Sequence, residues 1–278
     1  MSVKIVVDST VDLTPDIKSQ VKVVPLSVLF GEEEYQDGVT ITAEKFYEML
    51  VKCEQLPTTS QPTPAAFETV YQELVDEGHE VVVITIASKL SGTYQSATIA
   101  AEEFPGKVFV VDSRNAALAS GVLAEYALQL AADGMSGQQI LDALIEKRKH
   151  ARLYAIVDTL EYLKKGGRLS STVAFVGGML NLKPVICVED GEIKTVGKAR
   201  GLKAAFSMLT KECSTNGGVD FTMPTLLGYT GNDAAPLKNY MEASAELWTP
   251  DTRTTIVGSA IGVHAGPGAV ALGFFSKE

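Results

Sequence analysis

The first half of the chain alternates short β-branched apolar runs with segments that carry helix-capping signals, and few folds accept that alternation. The runs at residues 3–7, 21–29, 81–86 and 108–111 are bounded by polar turns, as strands covered on both faces of a parallel sheet must be. Between them, Thr42 can cap a helix that gathers Phe46, Met49, Leu50 and Cys53 on one face. Thr63 and Pro64 open a second helix, with Phe67, Val70, Tyr71, Leu74 and Val75 inward and Gly78 at its end. A third starts near Ser91. The alanine-rich stretch 116–132 and the capping-box segment 136–149 (Ser136, Gln139) complete the half. The pattern predicts a Rossmann-like parallel α/β domain over residues 1–150.

After His150 the texture changes. Asp190-Gly191 between apolar runs 185–189 and 192–197 is a hairpin signal. Further strands are expected at 225–229, 252–259 and 269–274, with helices at 202–213 and 234–247. This predicts a C-terminal α/β domain over 151–278 with a mixed or antiparallel sheet. The uncharged run 254–276 is long enough to span a bilayer, but its five glycines, Pro267 and His264 suit two buried strands around a glycine loop. No signal peptide is read at the start, where Asp8 follows only three apolar residues. Three distant cysteines, Cys53, Cys187 and Cys213, have no zinc or redox spacing and are expected as buried thiols. Together these features predict a soluble, cytoplasmic protein.

The net charge of −10 argues against nucleic acid as a partner, although residues 147–211 hold 13 Lys and Arg against 5 Asp and Glu. No Walker loop, GxSxG elbow or HExxH helix is present, and Gly266-Pro267-Gly268 leads into a strand rather than a nucleotide-binding helix. His79 and His150 are expected in solvent, whereas His264 stands in an apolar, glycine-rich loop. Three hydroxyl-rich stretches are placed at strand ends: Asp8-Ser9-Thr10, residues 58–62 (TTSQP) and residues 88–93 (SKLSGT). The last runs straight from a strand into a helix, so Ser91 and the free N–H groups behind it suit a small anion. In residues 164–168 (KKGGR) the glycines end a helix and aim Arg168.

These motifs together resemble the DegV family of bacterial fatty-acid-binding proteins, the lipid-carrying subunits of fatty acid kinase. The likeness rests on DSTVDL (8–13), TTSQPTP (58–64), SKLSGTYQSA (88–97), LEYLKKGGRLS (160–170), KPVICVEDGEIKTVGKARG (183–201) and IGVHAGPGA (261–269), in this order along the whole chain. The resemblance implies one long-chain fatty acid held between the two domains, with no cofactor, no metal and no catalytic residue. It implies that Thr59 and Ser91 hold the carboxylate and that Arg168 and His264 belong to the head-group network. It further implies that Arg200 docks a partner kinase, which phosphorylates the bound acid with ATP and feeds phospholipid synthesis. No transmembrane segment is expected, and transient contact with a membrane surface is compatible with the role.

The physics of a carrier agrees. A saturated tail buries roughly 15 CH₂ and CH₃ groups at ~0.8 kcal/mol each, so the head group need not be gripped strongly. Small residues in 116–132 and 173–179 leave room for an acyl tunnel, and close helix packing explains them equally well. Two other classes stay open on the residues alone. One is a hydrolase or transferase with Ser91 as nucleophile and His264 as base. The other is a carrier of a different apolar carboxylate.

Overall fold

The computed structural model describes residues 2–169, 181–215 and 217–277. From the amino terminus run β1 (Val3–Asp8), α1 (Pro15–Lys18), β2 (Lys22–Val24), β3 (Ser27–Phe30), β4 (Glu33–Gln36), α2 (Ala43–Leu50) and β5 (Thr58–Ser60). Then come α3 (Pro64–Asp76), β6 (Glu80–Thr85), α4 (Thr93–Ala101), β7 (Val108–Asp112), α5 (Ala117–Ala132) and α6 (Gly137–Lys147). The remainder holds β8 (Ala151–Ile156), α7 (Glu161–Lys165), β9 (Leu182–Glu189), β10 (Glu192–Arg200), α8 (Gly201–Ser214) and β11 (Thr225–Tyr229). It ends with α9 (Ala235–Ala243), β12 (Thr254–Ile256), α10 (Ser259–Ala265) and β13 (Val270–Phe275). Ser170 and the small-residue segment 173–179 lie outside the described residues.

The four β-branched strands β2-β1-β6-β7 form one wholly parallel sheet. A second, mixed sheet has the order β10-β9-β8-β13-β11-β12, antiparallel except between β11 and β12. A small antiparallel sheet, β4-β3-β5, completes the set. Caps read from the sequence are in place. Thr42 accepts from Lys45 N, Thr63 accepts from Ala66 N, and Ser136 and Gln139 close a capping box. Asp190-Gly191, both at positive φ, turns the β9–β10 hairpin.

Several expectations need correction. The apolar run 21–29 is two strands in different sheets, because Pro25 lacks the N–H that would continue β2 and the chain turns there into β3. The run 254–276 is strand, helix, strand. Its glycine-rich middle coils into α10, since Gly262 must lie against α2: a Cβ there would come within 2.6 Å of Phe46 Cε1 and 2.7 Å of Tyr47 Oη. Close approach is what Gly262 serves, while Gly266 and Gly268 supply positive φ at +70 and +82. His79 is also not free in solvent; it is half-buried, with Nδ1 2.9 Å from Ser2 Oγ. Of the thiols, Cys213 is buried, while Cys53 and Cys187 are half-buried.

Helix α5 is the central beam. One apolar cluster joins Ile5 and Val7 of β1, Leu118 and Val122 of α5, Ala155 of β8 and Phe275 of β13. Two glycines let backbones meet across it. A Cβ at Gly121 would stand 2.0 Å from Asp12 O, and one at Gly273 2.4 Å from the Leu118 carbonyl carbon. Packing therefore explains most of the small residues of α5. Only its mouth, Ala116 and Ala117, faces the cavity described next.

Candidate functional site

A cleft with ≈ 890 Å³ of space not filled by atoms, part of it open to solvent, lies where the carboxyl ends of β1 and β6 meet the second sheet. Its apolar walls come from both halves of the chain: Ile86 and Leu90 after β6, Leu153 and Ala155 of β8, Ile186 of β9 and Ile261 of α10. Against this surface stand a few polar side chains. Thr59, Ser91, Arg168 and His264 all line the cleft, together with Thr10 and Thr230. Arg200 does not. It is the exposed last residue of β10 and the N-cap position of α8.

Thr59 is not at a strand end, where its hydroxyl-rich stretch is expected. It sits in the middle of β5, opposite Val28 of β3. Ser91 precedes Gly92, the N-cap of α4, and its hydroxyl accepts from Thr93 N at 3.3 Å and lies 2.9 Å from Thr93 Oγ1. That N–H is thus already engaged, so the Ser91 hydroxyl rather than the bare helix end faces the cleft. The two segments meet through Gln61, whose side chain donates to Ser96 Oγ and packs where any Cβ on Gly92 would fall.

His264, in the last turn of α10, lies with Nε2 3.0 Å from Thr59 Oγ1. Its Nδ1 is buried and has no partner among the described residues. Burial, and secondarily the charge of Arg168, pushes its pKa down to about 4, so the ring is neutral at physiological pH. An orphaned lone pair costs less than an orphaned N–H, which places the proton on Nε2, donating to Thr59 Oγ1. The threonine O–H is then free to donate into the cleft. Arg168 is spent differently. Its Nε donates to Leu90 O (3.2 Å) and its Nη1 to Gly166 O (2.6 Å), so it ties the end of α7 to the segment that carries Ser91.

The base of α10 is fixed by two buried acidic side chains. Asp12 accepts from Gly258 N (2.7 Å), and Asp37 accepts from Ser259 N (3.0 Å) and Ala260 N (3.1 Å). These satisfy orphan donors at the helix start. Burial drives the Asp12 carboxyl up to about 8, the Gly258 bond opposing only in part. Asp8 holds Thr10 and Ile86 N on the cleft wall and is raised to about 6, again by burial. Sequence reasoning missed Thr10 and Thr230 as wall residues. Thr10 lay in a stretch already singled out, whereas Thr230 had no local signal.

Ser91 and His264, the nucleophile and base of the hydrolase reading, make no hydrogen bond with each other. The Ser91 hydroxyl is engaged with Thr93 and the imidazole with Thr59, and among the described residues no carboxylate meets His264 Nδ1. No metal-holding cluster occurs among the described residues, nor any helix long and apolar enough to cross a membrane.

The family model described as "Uncharacterised protein, DegV family" matches residues 2–277. A DegV domain-containing protein of Caldanaerobacter subterraneus subsp. tengcongensis is 37 % identical over 280 residues, covering 99 % of each chain. A solved DegV family protein from Thermus thermophilus that binds fatty acid shares 34 % identity and a TM-score of 0.88, with 100 % of each chain covered. A stearic acid-binding protein from Eubacterium ventriosum shares 31 % identity and a TM-score of 0.83, covering 99 % of this chain and 98 % of that one.

Proposed function

The chain belongs to the DegV family, and on that footing we propose that it binds one long-chain fatty acid and presents its carboxylate to a partner fatty acid kinase. The observation that carries this reading is the cleft itself, with apolar walls from both sheets and Thr59, Ser91 and His264 among its few polar groups. Two relatives of similar fold bind fatty acids, one of them stearic acid. Thr59, oriented by the neutral His264, and Ser91 supply hydroxyl donors to the carboxylate. Both are neutral, so the carboxylate keeps the electron density it needs as a nucleophile. A bidentate guanidinium would tie up both oxygens, and the Arg168 Nε and Nη1 groups are turned to backbone carbonyls instead.

The kinase step is a phosphoryl transfer. A carboxylate oxygen bonds to the γ-phosphorus of ATP, the bond to the bridging oxygen breaks, and ADP leaves an acyl phosphate behind. The partner supplies the nucleotide site, this chain supplies the acid, and the product serves phospholipid synthesis in the cytoplasm. Arg200, on the exposed corner between β10 and α8, docks the kinase. Denaturing extraction of the purified protein followed by mass spectrometry tests the carrier role. Near-stoichiometric fatty acid is the expected result; an empty cleft that takes up no added fatty acid would overturn it.

A further inference from the structure

A second recess lies beyond the carboxyl end of β7, the edge strand of the parallel sheet, where it meets β8 and β9. Arg114, Asn115, Arg148, Lys149 and Arg152 line it, around ≈ 1250 Å³ of space not filled by atoms, part of it open to solvent. Leu153, Cys187 and Val188 line both this recess and the lipid cleft, so the two share a wall. Four cations line it in a chain of net charge −10; Lys149 is paired with Glu146 at 2.6 Å, and one guanidinium nitrogen each of Arg148 and Arg152 donates to a backbone carbonyl, Asp112 O and Lys149 O. Glu189, Asp190 and Glu212 share the wall, and Glu189 is committed to Lys194 at 2.6 Å.

Three further observations single the recess out. Arg148 Nε is buried without an acceptor and Asn115 Oδ1 without a donor, two orphaned atoms on one wall. The amide orientation of Asn115 is fixed, because its Nδ2 donates to Ala151 O at 3.1 Å. Arg114 is held at φ +51, with its N–H tied to Asp112 Oδ1 at 2.8 Å. A bulky non-glycine residue is uncommon in that region and tends to persist where the side chain has work to do. Finally, burial and the neighbouring charge of Arg114 both lower the proton affinity of Arg148, a cost that a bound anion would relieve.

We propose that this recess binds the phosphate group of a phosphate monoester, with Arg114, Arg148 and Arg152 taking its oxygens and Asn115 Oδ1 accepting its proton. Guanidiniums match phosphate oxygens in geometry and charge. The orphaned acceptor chooses among anions. A phosphate monoester has a second pKa near about 6 and carries a proton part of the time at neutral pH, whereas sulfate and carboxylates have none to give. The ligand is either a free phosphate ester or the head group of a phosphatidic acid-like lipid.

Inorganic phosphate titrated into the full chain, followed by ³¹P line broadening and by Tm, tests the site. Phosphate is expected to bind and raise Tm, with sulfate several-fold weaker. Arg114→Gly, which also suits the positive φ, and Arg152→Gln should each weaken phosphate roughly tenfold or more while the bound fatty acid is retained. That retention separates this site from the carrier reading. Flotation with phosphatidylcholine vesicles carrying phosphatidic acid distinguishes the sources. Capture lost in Arg114→Gly identifies a lipid head group, and phosphate binding without capture identifies a soluble ester. Absence of phosphate binding, equal affinity for sulfate, or affinity unchanged in both variants would overturn the proposal.

Discussion

At the scale of single residues, the carrier reading rests on hydroxyls worth little alone and enough together. Each hydrogen bond to a carboxylate contributes about 1.5–3 kcal/mol. Thr59→Ala with Ser91→Ala is therefore expected to weaken fatty-acid binding by about tenfold or more in equilibrium titrations. The lipid-free Tm should hardly move, since neither residue is a helix cap or fully buried. Unchanged affinity in the double variant would remove both from the head-group site. Asp12 gives a second, independent prediction. Its carboxyl is near 3.8 when unfolded and about 8 when folded, so between those values the native state holds a proton that the unfolded state has lost. Stability must then fall as pH rises, by up to about 1.4 kcal/mol per pH unit across that window. Asp12→Asn keeps an acceptor for Gly258 N and removes the titration. Comparing Tm from about pH 5 to about pH 9, the variant should gain on the parent as pH rises; parallel curves would mean that Asp12 is ionised throughout.

Among elements, α10 carries the most consequence. Asp12 and Asp37 clamp its first turn, Gly262 lies flush against α2, and its last turn presents His264. The C-cap glycine of α7 completes the seat: a Cβ on Gly166 would fall 2.2 Å from His264 Nδ1. Gly166 has φ −73, which alanine accepts freely, so Gly166→Ala acts by steric displacement of the ring alone. Fatty-acid retention should drop several-fold with little loss of Tm, and a crystal structure should show His264 turned from Thr59. Full retention would argue that the imidazole does not orient Thr59. Local signals explain which elements were legible. The caps at Thr42, Thr63 and Ser136 and the Asp190-Gly191 turn are chemistry confined to a few neighbouring residues, and they were readable. The helical nature of α10 was not, because its Gly262 is dictated by Phe46 and Tyr47, more than 200 positions away. For the same reason Thr59 read as a strand-end residue. Its strand exists only because β3 pairs with it, and β3 was hidden in a run broken by Pro25. Motif resemblance brought Thr59, Ser91, Arg168 and His264 together in advance, and the folded chain lines one cleft with all four.

Taken whole, the molecule keeps the cleft apart from the corner proposed to dock a kinase. The cleft is walled by both halves of the chain, whereas Arg200 stands on an exposed corner within the basic stretch 147–211. A surface arginine contributes little to stability, so Arg200→Glu should keep both fold and fatty acid. With the kinase and ATP it should lose most acyl-phosphate formation, the more so at low salt, where attraction between charged faces speeds encounter. Normal phosphorylation by that variant across low and physiological salt would sink the docking role. The pairing of Thr59 with His264 has one more consequence, in the time order of synthesis. Chains emerge N-terminal end first, at about 5–20 residues per second. The partner that orients Thr59 lies 205 positions later, and the amide that Asp12 holds lies 246 positions later. A growing chain can complete its parallel sheet early and still have no finished seat for a carboxylate. On the carrier reading, the seat for the carboxylate is complete only once α10 has left the ribosome, so the order of synthesis puts lipid capture at its end.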